Sequence, residues 1–166
     1  MKNELYKEIR KMKSNDLICV ASRPGQGKTT TLLALVDDLL TNNKNIVFVT
    51  LESSTELLKS KIKSKNNKKL NVVDLPNSSI EELSDVIEKI KKKTNVDYVF
   101  VDYIQLLNCD VKARDALLKE LTISLNIPFV VSSQLPRNYN EMNIGLEKQE
   151  YTKIFIIKDF NEYEIL

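Results

Sequence analysis

The 166-residue chain is 42% hydrophobic and 29% charged, a balance that suits one soluble globular domain, able to bury roughly 70% of its unfolded surface without staples. A net charge of +2 is too small to argue for nucleic-acid binding, and the absence of histidine removes the commonest metal ligand and the usual general base. The two cysteines, Cys19 and Cys109, read as free thiols of a reducing cytoplasm, since the charged N-terminus is no signal peptide and no apolar run approaches the ~20 residues of a membrane span.

In chain order, "NELYKEIRKMK" spaces Leu5, Ile9 and Met12 as one helical stripe. "LICVA", residues 17–21, is wholly apolar, as in a strand covered on both faces. After the stretch "ASRPGQGKTT", a helix begins near Lys28. "NIVFVTL", 45–51, reads as a second buried strand. Ser53 and Glu56 have capping-box spacing, which predicts a helix just after Glu52. The lysine-rich run 59–69 has no interleaved aromatics and reads as a solvated helix end. "LNVVDL", 70–75, is predicted to be a short strand near a sheet edge. Ser79 and Glu82 make a second capping box, opening a helix whose apolar positions Ile80, Leu83, Val86, Ile87 and Ile90 share one face.

"VDYVFVD", 96–102, is a further buried strand; "ARDALLKELTISL" is a helix ending before Pro128, and "PFVVSS" a strand. "TKIFIIKDFNEYEIL" reads as a closing hairpin around Asn161. Strands alternating with helices imply crossover units, hence an α/β fold with a mainly parallel sheet. No internal boundary is evident. The expectation is one domain over 1–166, with an N-terminal helix within 1–14 and the hairpin at 152–166.

The stretch "ASRPGQGKTT" carries the chemistry. A phosphate cradle needs inward backbone N–H groups, small residues for close approach, and a lysine for the terminal phosphates. Gly25 and Gly27 supply the permissive backbone, Lys28 the charge, and Thr29 a hydroxyl for Mg²⁺, at the start of a helix whose dipole favours anions. Ser22 stands where such a loop opens with glycine, and it fits only if its backbone angles are ordinary. Ligands of open parallel sheets bind beyond the carboxyl ends of strands. Three other strand ends carry polar groups there: Glu52, Asp102 and Gln134. Asp102 suits a carboxylate for the Mg²⁺ water shell, Glu52 a base for the attacking water, and Gln134 a sensor of the terminal phosphate. The plainer readings are a turn start, a helix-dipole partner and a loop cap.

Together these stretches resemble the C-terminal ATPase domain of DnaB-like replicative helicases, a three-layer RecA-like P-loop fold. "ASRPGQGKTT" resembles that family's loop, non-glycine opening included. "FVTLESS", "VDYIQLL" and "LKELTISLNIPFVVSSQLPR" resemble its later motifs, over residues 14–138. The resemblance implies binding of ATP by Ser22, Arg23, Pro24, Gly25, Gln26, Gly27, Lys28, Thr29 and Thr30. It implies Mg²⁺ at Thr29 and Asp102, and catalytic roles for Lys28, Glu52 and Gln134. Arg137 matches the arginine that closes the last motif. The sequence departs from the pattern in having no counterpart of the N-terminal helical domain, and in shorter segments after "DYIQLL" and after Arg137. "KDF" replaces a Lys-Asn-Arg segment that presents an arginine finger, so that Lys158 matches but Phe160 sits where the arginine is expected.

The implied function is a P-loop ATPase in DNA replication or recombination, as or beside a helicase, slow in isolation. The alternative is a nucleotide-binding regulatory or loader module with little hydrolysis. Single-stranded DNA, a larger helicase or replication protein, and further copies of the chain are the expected partners. A small-molecule P-loop kinase ranks last, because Arg114 and Arg137 are the only arginines after Arg23 that might form a lid.

Overall fold

The computed structural model describes residues 2–137, 146–159 and 162–166. Seven strands form one sheet: β1 (Leu17–Ser22), β2 (Ile46–Thr50), β3 (Leu70–Asp74), β4 (Tyr98–Asp102), β5 (Phe129–Gln134), β6 (Lys153–Asp159) and β7 (Glu162–Ile165). Their order is β3-β2-β4-β5-β1-β6-β7. Every pairing is parallel except the closing β6–β7 hairpin. The helices are α1 (Lys2–Arg10), α2 (Lys28–Thr41), α3 (Thr55–Lys61), α4 (Ile80–Lys91) and α5 (Arg114–Leu125). The turn of the hairpin expected around Asn161 lies outside the described residues.

Period-2 alternation divides the core into two layers. Cys19, Val49, Val101, Val131 and Ile156 face α4 and α5, whose Leu83, Ile87, Leu118 and Leu121 pack against them. Val20, Phe48, Phe100, Val130 and Phe155 face the other way, toward Leu5 and Ile9 of α1, Leu32, Val36 and Leu39 of α2, and Leu58 of α3. Strands covered on both faces read as continuous apolar runs, which is why β1, β2 and β4 stand out in the sequence. Phe48 and Phe100, both fully buried on neighbouring strands, stack with centroids 6.1 Å apart and planes 6° apart. The result is helices on both sides of a mainly parallel sheet, the RecA-like three-layer α/β arrangement, with β3 at an edge as its short sequence suggested.

The capping box at Ser79 forms as expected: the Glu82 N–H donates to Ser79 Oγ (3.2 Å) and the Ser79 N–H to Glu82 Oε2 (2.9 Å). The box expected at Ser53 does not form. Thr50 takes Ser53 instead, accepting from its N–H at 2.8 Å and donating its own hydroxyl to the Ser53 carbonyl at 2.9 Å. That turn moves the helix start on by one residue. Ser54 is the N-cap, accepting from the Leu57 N–H at 3.4 Å. In the lysine-rich run, Lys59 and Lys61 lie in the last turn of α3, and Lys68 and Lys69 in a 3₁₀ turn, Asn67–Lys69. The chain between them is a loop pinned to α2, where Asp37 Oδ1 accepts from the backbone N–H of Lys63 and of Ser64 at 2.9 Å each.

Because β1, β2, β4 and β5 run parallel and in register, Ser22, Thr50, Asp102 and Gln134 end on one rim. Thr50 lies opposite Asp102, and Ser22 opposite Gln134. The sheet thereby gathers residues more than a hundred positions apart.

Core packing and capping should separate cleanly in stability. Phe100→Ala empties a fully buried stack and is expected to cost about 3–5 kcal/mol. Ser79→Ala removes one cap and is expected to cost about 1 kcal/mol. Urea unfolding of the two variants checks the order; equal losses would mean that the stacked pair is not core.

Candidate phosphate-binding site

β1 ends at Ser22 and delivers the chain into a tight loop. Gly25 and Gly27 adopt φ of 79° and 81°, a left-handed conformation that L side chains rarely tolerate. A Cβ added at Gly25 would meet nothing within 4 Å, so the glycine is required there by backbone conformation and not by crowding. Ser22 is fully buried, has no positive φ, and turns its hydroxyl back to the Arg23 carbonyl at 3.1 Å. A glycine is unnecessary at that position because the strand is still extended. Gln26 braces the loop, accepting from the Arg23 N–H at 3.2 Å and donating to the Lys158 carbonyl on β6 at 3.0 Å.

Helix α2 opens at Lys28 directly after this loop, with Gly27 as N-cap. The first N–H groups of a helix are unpaired and carry partial positive charge, so a loop ending there is suited to an anion. The Thr31 N–H closes the first turn on the Gly27 carbonyl at 2.8 Å.

Beneath the loop lies Asp102, 4% exposed, at the end of β4. Its Oδ1 accepts from Lys28 Nζ at 2.8 Å and from the Ser132 hydroxyl; its Oδ2 accepts from Thr29 Oγ1 at 2.6 Å. A buried carboxylate is tolerated when its lone pairs are met by donors, and here a cation and two hydroxyls meet them. Lys28 Nζ also lies 4.2 Å from the centroid of the Tyr103 ring. Burial first, then the carboxylates of Glu52 and Asp102, push the Tyr103 phenol above its ordinary pKa, which keeps it neutral beside the lysine. The Asp102–Tyr103 peptide is cis.

Above Lys28 opens a pocket of about 320 Å³. Ser22, Arg23, Pro24, Gly25, Gly27, Lys28, Thr29, Thr30, Glu52 and Gln134 line it. The structure thus brings together all the expected phosphate-loop residues except Gln26, whose side chain turns away to β6. Glu52 is exposed on the rim and lies two residues before Ser54, the N-cap of α3, whose first turn has Glu56 as its acidic residue. Arg137 is exposed, and Phe160 lies outside the described residues. Lys158 pairs with Glu164 of β7 at 2.8 Å. Arg114 is 3% exposed and pairs with Asp115 at 2.8 Å within the core, so it forms no lid over the pocket.

Three contacts at this site carry little sequence signal. Ser132 reaches Asp102 across the sheet, Gln105 binds Ser133 and Gln134, and Tyr103 faces Lys28. The one available hint is the polar Ser-Ser-Gln ending of an otherwise apolar strand. Burial pushes the Cys19 thiol strongly upward, which makes it an inert core residue. No cluster of three or more Cys, Asp or Glu residues with the geometry of a metal site occurs among the described residues, and none of their helices is long and apolar enough to cross a membrane.

The family model for the DnaB-like helicase C terminal domain matches this chain over residues 3–67 and 54–145. The chain belongs to that family. Members similar to it include the replicative DNA helicase DnaB of Buchnera aphidicola, 24% identical over 179 residues, covering 83% of this chain and 39% of that protein. Another is the probable plasmid replicative DNA helicase of Chlamydia psittaci, 26% identical over 165 residues, covering 76% and 36%. The chain therefore spans about two fifths of the length of these DnaB-like relatives. Among solved structures, one described as an ATPase domain superposes with a TM-score of 0.76 at 16% identity, covering 97% of this chain and 84% of that one. A DnaB-like replicative helicase, described with its interactions with primase, superposes with a TM-score of 0.74 at 18% identity, covering 96% and 57%. These likenesses carry the fold.

Removing Asp102 should expose the strength of the cluster. Asp102→Ala leaves the part-buried Lys28 ammonium and two hydroxyls without their acceptor and is expected to cost about 1–3 kcal/mol of stability. Lys28→Ala/Asp102→Ala should lose less than the sum of the single losses, because the pair leaves together. Urea unfolding of the three variants checks this; additive losses would mean that lysine and carboxylate are not coupled.

Proposed function

We propose that this chain is an ATP- and Mg²⁺-binding ATPase domain of the DnaB-like helicase type, acting in DNA replication as or beside a helicase. The observation that carries this reading is the meeting of Lys28, Thr29 and Asp102 beneath a loop with two left-handed glycines. The phosphates are assigned to the loop N–H groups and the start of α2, with Lys28 serving the β- and γ-phosphates. Thr29 and Asp102 present adjacent hard oxygen donors, 2.6 Å apart, which fit Mg²⁺. When bound, that ion supplies neutralisation of phosphate charge. One carboxylate and one hydroxyl suffice, since Mg²⁺ usually takes few protein ligands and keeps waters and phosphate oxygens for the rest.

Glu52, exposed and lining the same pocket as Lys28, is assigned as the base that orients and deprotonates the attacking water. Gln134, which also lines the pocket, is assigned to the terminal phosphate. The whole chain is assigned to one domain and, from its two free thiols, to a reducing compartment. Single-stranded DNA, a replication protein and further copies of the chain are the partners this reading implies.

A second reading, a nucleotide-binding regulatory or loader module, is favoured by one observation. Phe160 replaces the arginine that the family pattern places there, and the nearby Lys158 is engaged with Glu164. An arginine finger contributes about 10³–10⁵ in rate to well-studied phosphoryl transfers, so its loss leaves a competent binder with slow turnover.

Fluorescent-ATP titration and multiple-turnover assays of the chain, with and without a single-stranded oligonucleotide, test both readings. Lys28→Ala should weaken ATP–Mg²⁺ binding about ten-fold or more, as loss of a charge-assisted contact implies. Glu52→Gln should bind normally and lose about 10²–10⁴ of whatever turnover the parent has. Parental turnover should be far below about 1 s⁻¹ and little changed by DNA. Equal ATP affinity in parent and Lys28→Ala would remove the site. Fast, strongly DNA-stimulated turnover would refute the slow-binder reading and show that another cation serves as the finger.

A further inference from the structure

We infer that Gln105 is a positioning residue that holds Gln134 in place, so that recognition of a terminal phosphate by Gln134 depends on Gln105. The inference rests on the nucleotide reading above and assigns its terminal-phosphate discrimination to a two-residue unit. The pairing of β4 with β5 stops at Val101 opposite Val131, yet β5 continues for three more residues to Gln134. On its other edge β5 stays paired with β1 as far as Ser22 opposite Gln134, and the Leu135 N–H donates to the Ser22 carbonyl at 2.8 Å. Among the described residues, the β4-facing edge of that last stretch therefore has no strand beside it.

The Gln105 side chain takes the missing strand's place. Its Oε1 accepts from the Gln134 N–H at 3.1 Å, while its Nε2 donates to the Gln134 carbonyl at 3.0 Å and to Ser133 Oγ at 2.7 Å. A primary amide carries one donor end and one acceptor end, as a peptide group does, so it can pair a residue's N–H and C=O together. The backbone of Gln134 also fixes which way round the amide lies, since the reverse orientation would set donor against donor and acceptor against acceptor. Gln105 sits in the 3₁₀ turn Ile104–Leu106, anchored by fully buried Ile104, three residues after Asp102. The segment that carries Asp102 thus also fixes Gln134, a residue that lines the pocket. Gln105 does not line the pocket, so its effect on a ligand must pass through Gln134.

The test compares Kd for ATP–Mg²⁺ and ADP–Mg²⁺ in the full chain for the parent, Gln105→Ala, Gln134→Ala and the double variant, with thermal melts beside them. The parent is expected to prefer ATP by about ten-fold, as one charge-assisted hydrogen bond implies. Each single variant should lose that preference, the double variant should lose no more than Gln134→Ala, and ADP affinity should match the parent throughout. Gln105→Glu, which keeps the size but sets a carboxylate against the Gln134 carbonyl, should behave like the alanine variant.

An unchanged preference in Gln105→Ala would overturn the inference, as would losses that multiply in the double variant. Equal falls in ATP and ADP affinity would reduce Gln105 to a structural brace and also overturn it. A parent with no preference for ATP, or a Gln134→Ala variant that keeps it, would remove the sensing role itself. A parent that binds neither nucleotide would overturn the nucleotide reading and this inference with it, an outcome distinct from failure of Gln105 alone.

Discussion

The Asp102 carboxylate is the point on which the site depends. A charge 4% exposed at the end of a buried strand must be compensated, and its donors come from separate parts of the chain. Lys28 and Thr29 arrive from the start of α2, and Ser132 from β5. The carboxylate therefore has a structural role of its own. It fixes the lysine under the loop, holds the threonine hydroxyl beside it, and ties β4 to β5 where their ladder has ended.

The rest of the rim is arranged around that point by similar short polar clamps. Thr50 turns the chain after β2 and leaves Glu52 exposed in the lining of the pocket. Gln26 binds the loop to β6, and Gln105 binds the post-Asp102 turn to β5. The Gln26 and Gln105 clamps join neighbouring elements at the strand ends, and the Thr50 clamp closes a local turn. A parallel sheet buried on both faces gives a rigid platform, while the strand ends need side chains to be positioned. The helices at the rim are set by local rules, such as the Ser79–Glu82 capping box, and the clamps are set by the sheet order.

That division explains what was legible in the sequence. The buried strands appear as apolar runs, the loop glycines as positions that need a left-handed backbone, and Asp102 as a charge closing the run Tyr98–Val101. β3 at the edge and the hairpin at the end were readable for the same reason. The cap at Ser53 was misplaced because spacing alone does not show that Thr50 would bind that residue first. Ser132 and Gln105 were invisible because their partners lie about thirty residues away, across strands that become neighbours only once the order β2-β4-β5-β1 is formed. Lys158 matches the family's lysine by position, but its pairing with Glu164 depends on the hairpin register.

The most direct measurement is a crystal structure of this chain grown with Mg²⁺ and a non-hydrolysable ATP analogue. The expected result is a triphosphate on the 23–29 loop, with the Lys28 ammonium moved from Asp102 to the phosphates, Thr29 and Asp102 facing the metal, and Gln134 at the terminal phosphate. A triphosphate bound elsewhere, or Lys28 still paired with Asp102 beside a loop that holds nothing at saturating nucleotide, would contradict it.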